Sequence, residues 1–95
     1  MNQLSLLSAA DIQQSLCDTV KRQRKSLKLS RDALAKRSTV PAATIKKFET
    51  TGQISLRQFL LLWQSVDDLS RVKALTNTPA STTPPPQNTD EVLAR

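Results

Sequence analysis

The chain has 95 residues, with 14 Lys and Arg against 8 Asp and Glu, a net charge of +6, and one Cys, one Gly and no His. That length allows one domain at most, since domains run to roughly 100–200 residues. Without His there is no imidazole base and no common zinc site; a lone Cys closes no internal disulfide, and a single Gly writes neither a phosphate-binding loop nor a dinucleotide fingerprint.

Residues 1–7 read as an N-terminal extension; Leu4, Leu6 and Leu7 lie there, but no basic stretch precedes them as in a secretory signal. Residues 8–75 predict a compact all-α domain of five short helices. Ser8 caps the first, with Asp11 three residues on, and Ile12, Leu16, Val20 and Leu27 keep helical spacing on one face. Cys17 reads as a small hydrophobe at the edge of this helix. Ser30 caps a second helix whose Leu34 and Ala35 face inward, and Ser38-Thr39-Val40 breaks it. Pro41 suits the first position of a third helix, where a missing N–H costs nothing. Thr44 to Thr50 continue that helix and Gly52 ends it. Ser55 and Gln58 form a capping box for a fourth helix, with Leu56, Phe59, Leu60 and Trp63 on its core face. Asp67 caps a fifth carrying Leu69, Val72 and Leu75; the adjacent Asp67-Asp68 pair lacks companions for a metal or catalytic site. From Thr76 to Arg95, four prolines and five threonines with few large apolar groups read as a disordered Pro/Thr-rich tail. Val92 and Leu93 near its end mark either a short docking motif or a frayed end.

Charge is uneven along this plan. Residues 21–50 hold ten of the fourteen cations against Asp32 and Glu49, while the rest of the chain has four cations against six acids. Such a block suits a polyanionic partner, or a solvated surface that keeps the domain soluble. On the third helix, Ile45 and Phe48 point inward, and Ala43, Lys46, Lys47 and Thr50 fall at i, i+3, i+4 and i+7 on another face without an acid. Alanines let a helix lie close to base edges, and lysine reaches guanine or a phosphate. The longest apolar run, Phe59 to Trp63, is far short of the ~20 residues that span a membrane, so the protein reads as cytoplasmic.

The segment Ser30 to Glu49, SRDALAKRSTVPAATIKKFE, resembles the helix-turn-helix of the Cro/lambda-repressor-like (XRE) family. Arg24 and Leu29 extend the resemblance upstream and Gly52 to Leu56 downstream, so that it covers roughly residues 12–75. It implies a DNA-binding domain whose third helix enters the major groove. By position it assigns base reading to Ala42, Ala43, Lys46 and Lys47, and phosphate contacts to Ser30, Arg31, Thr44, Thr50, Thr51 and Gln53. It also implies an ion pair between Arg24 and Glu49 that holds the reading helix at its angle. Departures from the family pattern are Lys28 and Thr39, which stand where glycine is usual, Ser38 in place of an apolar residue, and Pro41 in place of a polar cap. A left-handed turn at the first two would cost about 1 kcal/mol each.

The stretch Val40 to Leu62, VPAATIKKFETTGQISLRQFLLL, is similar to HipB-type antitoxins encoded beside HipA-like kinase toxins. That resemblance implies a repressor of its own operon that also binds a HipA-like Ser/Thr kinase toxin, with or without a further small antitoxin subunit. Leu61 on the polar side of helix four, with Val66, Leu69 and Val72 beyond it, predicts a dimer or partner surface. A two-fold homodimer would place two reading helices about 34 Å apart on a palindromic operator. The alternative is a protein-interaction scaffold of a toxin complex, with DNA binding secondary. No nucleophile–base pair, metal cluster or phosphate loop can be assembled, so no enzyme, cofactor or metal site is expected.

Overall fold

Three serines set where helices start. In the structure, a computed structural model that describes residues 7–77, α1 spans Ala9–Ser26, α2 Arg31–Ser38, α3 Ala42–Thr51, α4 Leu56–Val66 and α5 Ser70–Lys73. Every regular element among the described residues is helical, the last being a single 3₁₀ turn at Ala74–Thr76. Ser8 Oγ accepts from the Asp11 N–H at 3.1 Å while Asp11 Oδ2 accepts from the Ser8 N–H at 3.0 Å, a reciprocal box that satisfies two donors at the start of α1. Ser30 accepts from the Ala33 N–H at 3.0 Å, and Ser55 from the Gln58 N–H at 3.2 Å. The Ser55 box is only half made, because the Gln58 carboxamide oxygen takes the serine hydroxyl instead of the serine N–H. Pro41 stands one position earlier than expected, at the cap of α3, where no side chain bonds the first turn.

Helix ends follow from backbone chirality. Lys28 and Thr39 take the left-handed conformation with φ 59° and 66°, and Gly52 with φ 79°. At the first of these, the Leu29 N–H reaches back to the Arg24 carbonyl at 3.1 Å, closing α1 in a Schellman arrangement. Only glycine enters this region without a Cβ penalty, so Lys28 and Thr39 are strained and Gly52 is not.

The core joins Cys17 and Val20 of α1, Leu34 of α2, Val40, Ile45 and Phe48 around α3, and Phe59, Leu62, Trp63 and Val66 of α4. Phe59 packs edge-on against Phe48 with ring centres 6.0 Å apart, and its ring lies 5.8 Å from that of Trp63. Of the expected face of α1, Val20 is buried but Ile12, Leu16 and Leu27 are exposed, and Cys17 and Arg24 are buried in their place. Cys17 is therefore a core residue and not an edge one. Leu56 is 72% exposed, whereas Leu62, not assigned to the core from sequence, is fully buried. The buried line of α4 is Phe59, Leu62, Trp63 and Val66, at i, i+3, i+4 and i+7.

Asp67 does not cap α5. Its Oδ2 takes Gln23 Nε2 of α1 at 3.1 Å and Arg71 Nη1 at 2.7 Å, and Arg71 in turn lies 5.4 Å from the centre of the Trp63 ring. Leu69 stands at the cap of α5 without a side-chain cap bond, and Asp68 Oδ1, one residue earlier, accepts the Ser70 N–H at 2.8 Å. Leu75 and Thr76 lie in the 3₁₀ turn, so helical backbone runs one residue past the expected boundary. The proposed tail beyond residue 77 and extension residues 1–6 lie outside the described residues. No helix among the described residues is long and apolar enough to cross a membrane.

Candidate nucleic-acid interface

α2 and α3 are joined through Thr39, Val40 and Pro41, and this short connection puts the first turns of both helices beside one open cleft. Arg24, Ser30, Arg31, Asp32, Ala42, Ala43 and Lys46 line the cleft, whose volume is about 570 Å³. Of the residues assigned from sequence, Ser30, Arg31, Ala42, Ala43 and Lys46 are thereby brought together. Ala43, Lys46, Lys47 and Thr50 are all exposed along one side of α3, while Ile45, Phe48 and Glu49 are buried on the other. Ala42 and Thr44 are half-buried. Thr50 and Thr51 lie at the opposite end of α3, and Gln53 just past it. Their threonine hydroxyls donate to the Lys46 and Lys47 carbonyls, both at 2.7 Å, so as they stand those protons are engaged within the helix. The Gln53 N–H is taken by Thr51 Oγ1 at 3.1 Å.

Behind the cleft sits a three-residue charge cluster in which Arg24 and Glu49 are buried and Arg31 is part-exposed. Arg24 Nε and Nη2 donate to Glu49 Oε2 and Oε1 at 2.7 and 3.1 Å, and Arg24 Nη1 donates to the Leu29 carbonyl at 2.8 Å. Arg31 Nε donates to the same Glu49 Oε1 at 3.0 Å. Position in the chain assigns Arg31 to the DNA backbone alone, and its tie to Glu49 leaves no signal in the sequence. The two residues are 18 apart in the chain, and only the crossing of α2 over α3 brings them together. The Glu49 side chain is 1% exposed, and burial alone would raise its carboxyl. The hydrogen bonds and charges of Arg24 and Arg31 outweigh that and hold it below its ordinary value of 4.5.

α1 holds the far end of α3 as well. Gln13 Nε2 donates to the Gly52 carbonyl at 2.8 Å, and the Cys17 thiol donates to the Phe48 and Glu49 carbonyls at 3.0 and 3.3 Å. Of these acceptors, the Glu49 carbonyl lies in the last turn, where a helix leaves carbonyls without intrahelical partners, whereas the Phe48 carbonyl also takes the Gly52 N–H at 2.7 Å. Burial, then the charges of Asp18 and Glu49, push that thiol above its ordinary 9.0, which keeps it a neutral donor.

The expected partner surface is partly redrawn. Val66 is a core residue, 8% exposed, because it continues the buried line of α4. Val72 is half-buried and packs on the core. Leu61 and Leu69 do line a surface groove of about 250 Å³, together with Leu56, Arg57, Leu60 and Gln64. Compared with known proteins, the chain matches no family model, no curated protein and no solved structure.

Proposed function

We propose that this protein is a sequence-specific double-stranded-DNA-binding repressor, in which α2, the turn at Thr39–Pro41 and α3 act as the helix-turn-helix of a Cro/lambda-repressor-like domain. The observation that carries the reading is the side of α3 holding Ala43, Lys46, Lys47 and Thr50. It is exposed throughout, carries two amines and no acid, and has small residues where a helix must approach base edges. Ser30 and Arg31 border the adjoining cleft and supply phosphate contacts that set the register. By its resemblance to HipB-type antitoxins, the protein works in the cytoplasm as a homodimer on a palindromic operator. There it represses its own operon and engages a HipA-like kinase toxin, directly or with a further small antitoxin subunit.

The test is a mobility-shift titration on the duplex immediately upstream of its gene, beside a scrambled duplex of equal composition. The expected result is preference for the first and a loss of affinity on the order of 10³-fold between about 50 and 200 mM salt. Equal binding to both duplexes, or affinity indifferent to salt, refutes it.

A second reading is favoured by the groove on α4, where Leu56 and Leu69 are exposed beside Leu60 and Leu61. In that reading the domain is chiefly a scaffold for a toxin complex. Co-purification with the neighbouring kinase that survives neutralising Lys46 and Lys47 supports it; loss of the kinase on that change counts against it.

A further inference from the structure

Resting on the DNA-binding reading, we infer that Arg31 is a preset phosphodiester clamp, and that Glu49, buried behind it, is the positioning residue that aims it.

An arginine side chain at a surface is mobile, and fixing it for one contact costs rotamer entropy. Here that cost is met in the folded protein. Glu49 Oε1 takes the Arg31 Nε–H at 3.0 Å, and Glu49 is itself fixed by two bonds from Arg24. The tie uses the inner edge of the guanidinium only. Nη1 and Nη2 of Arg31 make no hydrogen bond among the described residues, and the side chain, 37% exposed, borders the cleft. A planar fork with its stem end fixed and its outer donors free suits bidentate capture of phosphate oxygens. Charge agrees with geometry. One carboxylate faces two guanidinium groups, so the cluster carries a net positive charge; Arg24 is buried, which leaves the excess at Arg31. Lys46 adds a further cation on the same cleft, beside Arg24 and Arg31, and Asp32 is the one acid that lines it. The arrangement therefore couples the bond that sets the angle of α3 to a contact with the nucleic-acid backbone.

The test uses the full chain, the upstream duplex and its scrambled counterpart, and two variants. Arg31→Lys keeps the charge but cannot fork. It should bind both duplexes about tenfold more weakly with an unchanged salt slope. Arg31→Gln should weaken binding as much or more and flatten the slope by about 1. In the free protein, the Arg31 Nε–H resonance, assigned by its loss in Arg31→Lys, should exchange with water far more slowly than that of exposed Arg57. If Arg31→Lys binds as the parent does, the fork is refuted. If the Arg31 Nε–H exchanges as fast as that of Arg57, Glu49 does not position it. In either case the DNA-binding reading stands, whereas a parent protein that binds neither duplex takes down both.

Discussion

Replacing Glu49 with Gln removes the only anion from a cluster that holds two guanidinium groups, and the structure sets the size of the effect. Arg24 is 7% exposed, so its charge cannot be returned to water without opening the interface between α1 and α3. Leaving a buried charge without its partner costs about 3–5 kcal/mol. Glutamine fills the same space and keeps one acceptor oxygen, which favours the lower end, about 3 kcal/mol. Small domains are stable by only about 5–15 kcal/mol in all, so the loss is large. Arg31→Gln is the contrast: it removes the half-exposed partner, and the loss should be about 1 kcal/mol or less. Urea titration followed by fluorescence of Trp63, the sole tryptophan and a core residue, measures both. The pH dependence adds a second constraint. The native Glu49 carboxyl is held below the ordinary 4.5, so its contribution is fully present above that value and is lost as pH falls through the lowered native one. The gap between parent and Glu49→Gln should therefore be constant near neutrality and shrink in acid. A Glu49→Gln protein within about 1 kcal/mol of the parent at pH 7, or a gap that does not close in acid, refutes the electrostatic account of this interface.

Lys28→Gly and Thr39→Gly should each raise stability by up to about 1 kcal/mol, because both positions are left-handed and only the side chain is strained; a lowered urea midpoint in either variant contradicts this. Leu62→Ala should cost about 2–5 kcal/mol and Leu56→Ala within about 0.5, although the two stand on the same helix; equal losses would contradict the orientation of α4. Lys47→Ala should narrow the difference in affinity between the upstream and scrambled duplexes, as read by mobility shift, whereas unchanged discrimination would remove Lys47 from base reading.

Helix starts were legible because capping is local chemistry. Ser8 with Asp11, Ser30 and Ser55 each stand within three residues of the N–H they satisfy. The inward direction of α3 was legible too, since Ile45 and Phe48 interrupt a polar run with helical spacing. In the apolar run Phe59 to Trp63, periodicity alone does not say which leucine faces the core. Leu62 does so because α4 packs against both α1 and α2. Ile12 and Leu16 keep the right spacing, but α1 turns Cys17, Val20 and Arg24 toward the other helices, so the neighbouring apolar stripe stays largely in solvent. The bond between Arg31 and Glu49 depends on the angle between two helices, which spacing along one chain does not encode.

The grip of Gln13, Cys17 and Arg24 on the rear of α3 sets the direction of a helix whose far tip is Ala42, with Ile45 buried in between. Ten residues give a beam of about 15 Å, so rotating the anchorage by about 4° swings the tip by about 1 Å, roughly twice the misplacement a recognition site tolerates. Changes in volume at Cys17, far from the cleft, are thus levered into errors of aim at it.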